Sequence, residues 1–110
     1  MNETIRIVCI SDTHANTDHE EFPDIPNGDI LIHAGDFTLY GKTIEHVAKF
    51  NGWLGTLPHE HKIVISGNHE RMLDANLPYI TFEEAEKMRK SLTNCIYLEN
   101  SSVTIKGMDI

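Results

Sequence analysis

Three short groups of side chains in this sequence can do chemistry together: Asp12-Thr13-His14, Asp36, and Asn68-His69-Glu70. Taken singly, each is ordinary turn material, since Asp and Asn make local side-chain turns and a lone loop histidine is most often solvated. Taken together, they offer carboxylate and amide oxygens with imidazole nitrogen, a donor set suited to Mn, Fe or Zn. The three stretches hold no cysteine, which excludes a thiolate site there. Asp36, on the middle stretch, can offer one oxygen to each of two ions. Two ions about 3.5–4 Å apart are a recurrent solution for hydrolysing phosphate esters, because their charge clamps the phosphoryl oxygens and acidifies a bound water. No protein nucleophile is then required, and the sequence carries neither a G-x-S-x-G elbow nor a reactive-cysteine loop.

Each group follows an apolar run. "IRIVCI" (Ile5 to Ile10) leads into Ser11 and Asp12, "DILIHAG" (Asp29 to Gly35) into Asp36, and "KIVISG" (Lys62 to Gly67) into Asn68. Continuous β-branched runs of this length fit strands covered on both faces, as in a parallel sheet flanked by helices. In open α/β sheets, ligands gather where loops leave the carboxyl ends of strands. Between the second and third runs, Ile44, Val47, Phe50, Leu54 and Leu57 recur at helical spacing, with Thr43 as N-cap, Pro58 as stop, and Gly52 and Gly55 weakening the middle. After Pro78, Thr81 and Glu84 form a capping box ahead of Ala85, Met88 and Leu92. "CIYLEN" and "SVTIKGMDI" read as further strands, the last a hairpin about Lys106-Gly107. Strands alternating with helices predict an α/β fold.

Composition agrees with a globular chain. The 110 residues are 40% hydrophobic and 24% charged, with a net charge of −8 when histidines are neutral. That acidity argues against a broad nucleic-acid-binding face, although bound cations can reverse the sign locally. Cys9 and Cys95 both fall in apolar runs, which predicts two buried thiols and a reducing compartment. The start, "MNETIR", has no apolar signal core, and no stretch approaches membrane-spanning length, so a soluble cytoplasmic protein without membrane contact is the expectation. Ile110 falls inside a strand-like run, which reads as an incomplete domain.

The stretches "SDTH", "HAGDF" and "SGNHE" resemble, in order, spacing and strand context, the first three motifs of the calcineurin-like metallophosphoesterases. The wider text "LIHAGDFTLYG…FNGWLGTLPHEHKIVISGNHE" is similar to the small animal metallophosphoesterase-domain proteins. The resemblance implies a four-layer α/β/β/α sandwich, of which residues 1–110 would be the N-terminal portion. It implies a hydrolase acting on small phosphodiesters or monoesters, cyclic nucleotides among the candidates, with two divalent ions (Mn, Fe or Zn) and metal-bound hydroxide as nucleophile. By that resemblance Asp12 and His14 bind the first ion, Asp36 bridges, and Asn68 binds the second. His69 faces the substrate as proton donor or charge stabiliser. Glu70, where many relatives have Asp, orients that imidazole or is a surface charge. The family's later ligands, a further His and a G-H-x-H pair, have no counterpart in this sequence. The 110-residue chain is therefore expected to bind at most one ion weakly and to be inactive by itself.

Other polar residues draw plainer readings. Ser11, Thr13, Gly35 and Gly67 are expected to shape the backbone, and His33 to be a hydrogen-bonded core histidine. His19, His46, His59 and His61 are expected to face solvent, Trp53 to pack, Arg71 to lie on the surface, and "HEEF" (His19 to Phe22) to carry no site. The competing functional reading is a catalytically impaired metal- or nucleotide-binding scaffold of the same fold. A flavodoxin-like phosphate binder is disfavoured, because "SDTHANTD" places carboxylates where an anion loop would be.

Overall fold

The computed structural model describes residues 4–14, 24–38, 44–67, 70 and 81–110. Strands β1 (Ile7–Ile10), β2 (Ile30–His33), β3 (His61–Val64) and β4 (Ile96–Tyr97) form one sheet in that spatial order, every neighbouring pair parallel. Helix α1 (Ile44–Gly55) connects β2 to β3, and α2 (Phe82–Lys90) lies between β3 and β4. A separate two-stranded antiparallel ribbon, β5 (Thr104–Ile105) and β6 (Met108–Asp109), follows. This is the parallel α/β architecture that the alternation of apolar runs and helical spacing predicts.

The period of two along each strand sorts the side chains onto two faces. On one face Leu31 and Val64 meet Val47, Phe50 and Leu54 of α1 and Leu92 beyond α2, with Phe37 at the centre and Trp53 and Met88 at the rim. Phe37 and Phe50 stack at 4.1 Å between ring centroids, and each meets the His33 ring edge-on. On the other face Ile30 and Ile63 pack against Ile105 of the ribbon, joined by Val103, Met108 and Ile110. The ribbon turns at Lys106 (φ 52°) and Gly107 (φ 80°), two left-handed residues whose twist suits a two-residue hairpin. Thr81 caps α2 by accepting the Glu84 amide at 3.1 Å, an interaction typically worth about 1 kcal/mol.

Several sequence expectations need correction. Cys9 is exposed and Cys95 only half-buried, so the two free thiols are not a buried pair. The cause is the reach of the ribbon. It covers Ile30 and Ile63, but Ile7 and Cys9 on the edge strand, and Ile65 and Ile96 beyond it, stay open on the same side of the sheet; Ile7 is 42% exposed and Ile65 40%. Burial pushes the Cys95 thiol up to about 11, which leaves it protonated and unreactive. His59, expected in solvent, is buried, with Nε2 2.9 Å from the Pro26 carbonyl, and His46 is half-buried. Helix α1 ends at Gly55, and Leu57 packs on the core from the turn that follows, its amide bonded to the Leu54 carbonyl. Thr43, the expected cap of α1, lies outside the described residues, as do His19 to Phe22, Arg71 and Pro78. Among the described residues no helix is long and apolar enough to cross a membrane.

Candidate metal centre

At the carboxyl ends of β1 and β2 the ladder continues past the strands. The Asp12 amide donates to the Gly35 carbonyl at 2.9 Å, and the His14 amide to the Asp36 carbonyl at 3.0 Å. The two loops are thus fastened side by side through their backbones. Asp12 (φ 56°), His14 (φ 44°) and Asp36 (φ 60°) all adopt left-handed backbone, a conformation that L residues enter at a cost of roughly 1–2 kcal/mol each. Strain of this kind is found where the surrounding structure holds a side chain to a task. Asn100 and Lys106 are the other non-glycine residues with positive φ among those described, and Lys106 belongs to the hairpin turn.

The result is convergence. One donor atom from each of Asp12, His14 and Asp36 lies within 4.8 Å of the others, and His14 Nε2 stands 3.5 Å from Asp12 Oδ1. Two carboxylates this close repel one another unless a cation lies between them. Asp12 is exposed, and the hydrogen bond from the Ser11 hydroxyl, with a smaller contribution from the neighbouring His14 imidazole, holds its carboxyl below the ordinary value. Oxygen, oxygen and imidazole nitrogen on one rim fit a borderline or hard divalent cation. Asn68 and His69, the other expected metal ligand and the expected proton donor, lie outside the described residues. Gly67, immediately before them, packs on Asp36: a Cβ at position 67 would fall on Asp36 Oδ1 and 2.7 Å from the Asp36 amide nitrogen. Gly67→Ala is therefore expected to displace the Asp36 carboxylate and weaken Mn(II) binding by at least the 10–100-fold typical of disturbed outer contacts, with circular dichroism little changed.

Two buried side chains brace these loops; His33 is the hydrogen-bonded core histidine that the sequence predicts, while the partners of both could not be read from it. His33 lies between the β1 and β2 loops. Its Nδ1 accepts the Gly35 amide at 3.1 Å, which puts the ring proton on Nε2, 2.9 Å from the buried Thr13 hydroxyl. Thr13, expected only to shape the backbone, is thus a side-chain tie. Burial pulls His33 down to about 4, so the imidazole is neutral at pH 7. A histidine whose folded value lies below its unfolded 6.5 contributes stability above pH 6.5 and loses it as pH falls toward 4. The stability gap between the natural chain and His33→Asn should accordingly shrink by about 3 kcal/mol between pH 7 and pH 4 in urea unfolding.

Glu70 is the second brace. It is 1% exposed, which rules out the surface-charge reading. Its Oε1 accepts the Asp36 amide at 2.6 Å and the Gly67 amide at 2.9 Å, while Oε2 accepts the Thr38 amide at 3.1 Å and the Thr38 hydroxyl at 2.8 Å.

A family model described as calcineurin-like phosphoesterase matches residues 5–109. The chain is 48% identical over 120 residues to the human metallophosphoesterase domain-containing protein 1, a match covering 96% of this chain and 36% of that protein. It is 46% identical over 113 residues to a UPF0046 protein of Caenorhabditis elegans, covering 96% of this chain and 40% of the relative. A stretch of an Emericella nidulans protein named "Probable rhamnogalacturonate lyase C" is 48% identical over 101 residues, covering 92% of this chain and 9% of that protein. The chain thus spans well under half the length of these relatives.

Proposed function

From the premise that the chain belongs to the calcineurin-like phosphoesterase family, we propose that it supplies the first part of a two-cation centre that hydrolyses a small phosphodiester. The observation that carries this reading is the convergence of Asp12, His14 and Asp36 on one rim, each from strained backbone. Asp12 and His14 would hold the first cation, Asp36 would serve both, and Asn68 would serve the second. Bound divalent ions supply positive charge for the phosphoryl oxygens and an acidified water as nucleophile. His69 hands a proton to the leaving oxygen. The 110 residues alone hold at most one ion, weakly, since three donors from the described residues and Asn68 leave a second ion short of ligands.

Elemental analysis and Mn(II) titration of the 110-residue chain, beside Mn-dependent hydrolysis of a chromogenic phosphodiester by the full-length protein, test the proposal. The expected result is no more than one equivalent bound to the chain and turnover only in the full-length protein. Efficient turnover by the chain alone would refute the incomplete-site claim. A full-length protein that binds metal and hydrolyses nothing would transfer the reading to a binding scaffold.

A further inference from the structure

Glu70 is not the surface charge that one reading of its motif allows, because the described residues already engage both oxygens of its carboxylate. Both oxygens accept two donors each, and the donors come from residues 36, 38 and 67. A buried carboxylate has about four lone-pair positions, and four N–H and O–H donors already occupy those of Glu70. What it does mechanically is clear from the partners. Oε1 grips the amides of Asp36 and Gly67 together, drawing the loop after β2 against the loop after β3, where Gly35 and Gly67 already touch so closely that a Cβ on Gly35 would come within 2.6 Å of the Gly67 nitrogen. Oε2 fixes Thr38 two residues further on, so the left-handed turn at Asp36 is pinned on both sides.

We propose that Glu70 is a positioning residue that sets the Asp36 carboxylate for cation binding through its backbone, and is neither an acid, a base nor a ligand. This rests on the reading of Asp36 as the residue between two cations, and it deepens that reading by naming what holds Asp36 in its left-handed turn. Glu70→Gln separates the possibilities. The amide side chain keeps the shape but turns one acceptor into a donor facing N–H groups, so the grip on Asp36 or on Thr38 must be released.

The test is Mn(II) binding by the chain, read by electron paramagnetic resonance, together with the amide proton shifts of Asp36 and Gly67. In the natural chain the Asp36 amide, 2.6 Å from a carboxylate oxygen, is expected far downfield and slow to exchange. Glu70→Gln should move it upfield and weaken Mn(II) binding about 10–100-fold, the range for partners that orient a metal ligand. Thr38→Val, which removes the hydroxyl from Oε2 and leaves the Thr38 amide and the Oε1 grip, should lower the melting temperature but move the Asp36 amide and weaken Mn(II) binding distinctly less than Glu70→Gln does. An unchanged amide and unchanged affinity in folded Glu70→Gln would overturn the proposal, as would equal losses of Mn(II) in Thr38→Val. If the natural chain binds no Mn(II), the metal reading fails, and the amide shifts still decide whether Glu70 grips Asp36. If Glu70→Gln does not fold, an ordinary, fast-exchanging Asp36 amide in the natural chain overturns it.

Discussion

Asp36→Asn is expected to remove Mn(II) binding from the chain and to lower phosphodiester turnover in the full-length protein by more than any other single change at the site. The substitution is nearly isosteric, and it leaves the Asp36 backbone amide, which Glu70 grips, untouched. Only the charge goes. On the proposed two-cation reading Asp36 would serve both ions, so the loss should exceed the roughly 10²–10⁴-fold associated with removing a general acid. The sign on stability is the informative part. In the absence of metal, Asp12 and Asp36 carry like charges on atoms within 4.8 Å of each other, and neutralising one of them relieves that repulsion. Metal-free Asp36→Asn should therefore melt at or above the natural chain. Added Mn(II) should raise the melting temperature of the natural chain and not of the variant, because a ligand stabilises only the protein that binds it. A variant that melts lower than the natural chain without metal would show that the carboxylate has a structural duty, and a variant that still responds to Mn(II) would remove Asp36 from the site.

His69→Ala is expected to leave metal content unchanged and to slow turnover in the full-length protein about 10²–10⁴-fold. In the proposed role the imidazole would contribute where a proton must reach the departing oxygen, so the deficit would depend on the leaving group. A nitrophenolate departs readily without a proton, whereas an alkoxide does not. The variant should accordingly lose much more rate on an alkyl diester than on a nitrophenyl one. Equal losses on the two would assign His69 to charge stabilisation, and no loss on either would remove it from the mechanism. Metal analysis alongside is essential, since a fall in bound metal would make His69 a ligand.

How much of this was legible before the fold is best judged residue by residue. The strands β1, β2 and β3 announce themselves as β-branched runs, and Asp12, His14 and Asp36 follow from standing just past two of them. That inference needs only strand direction and parallel order, both of which local pattern supplies. The hairpin at Lys106-Gly107 is legible for the same local reason. Cys9 was misjudged because an apolar run says a strand is buried without saying what covers it. The ribbon lies over the neighbouring strands, Ile30 and Ile63, and stops short of the sheet edge. The solvent-facing reading of His59 and the surface-charge reading of Glu70 failed differently. The immediate neighbours of both residues are polar, yet the partners that bury them, Pro26 for one and Asp36 and Thr38 for the other, lie more than 30 residues earlier in the chain. The Thr13–His33 contact spans 20 residues and has the same character. Only hydrogen bonds between loops that the sheet brings together could reveal these four.

The left-handed turns at Asp12, His14 and Asp36 have a consequence for the evolution of this chain. Glycine enters that region freely, so each of the three positions would fold more comfortably as glycine than as the residue it carries. Selection for heat resistance alone would thus erode the cluster one position at a time, each step looking like an improvement. Three left-handed side chains gathered at one rim are a feature that durability alone does not account for.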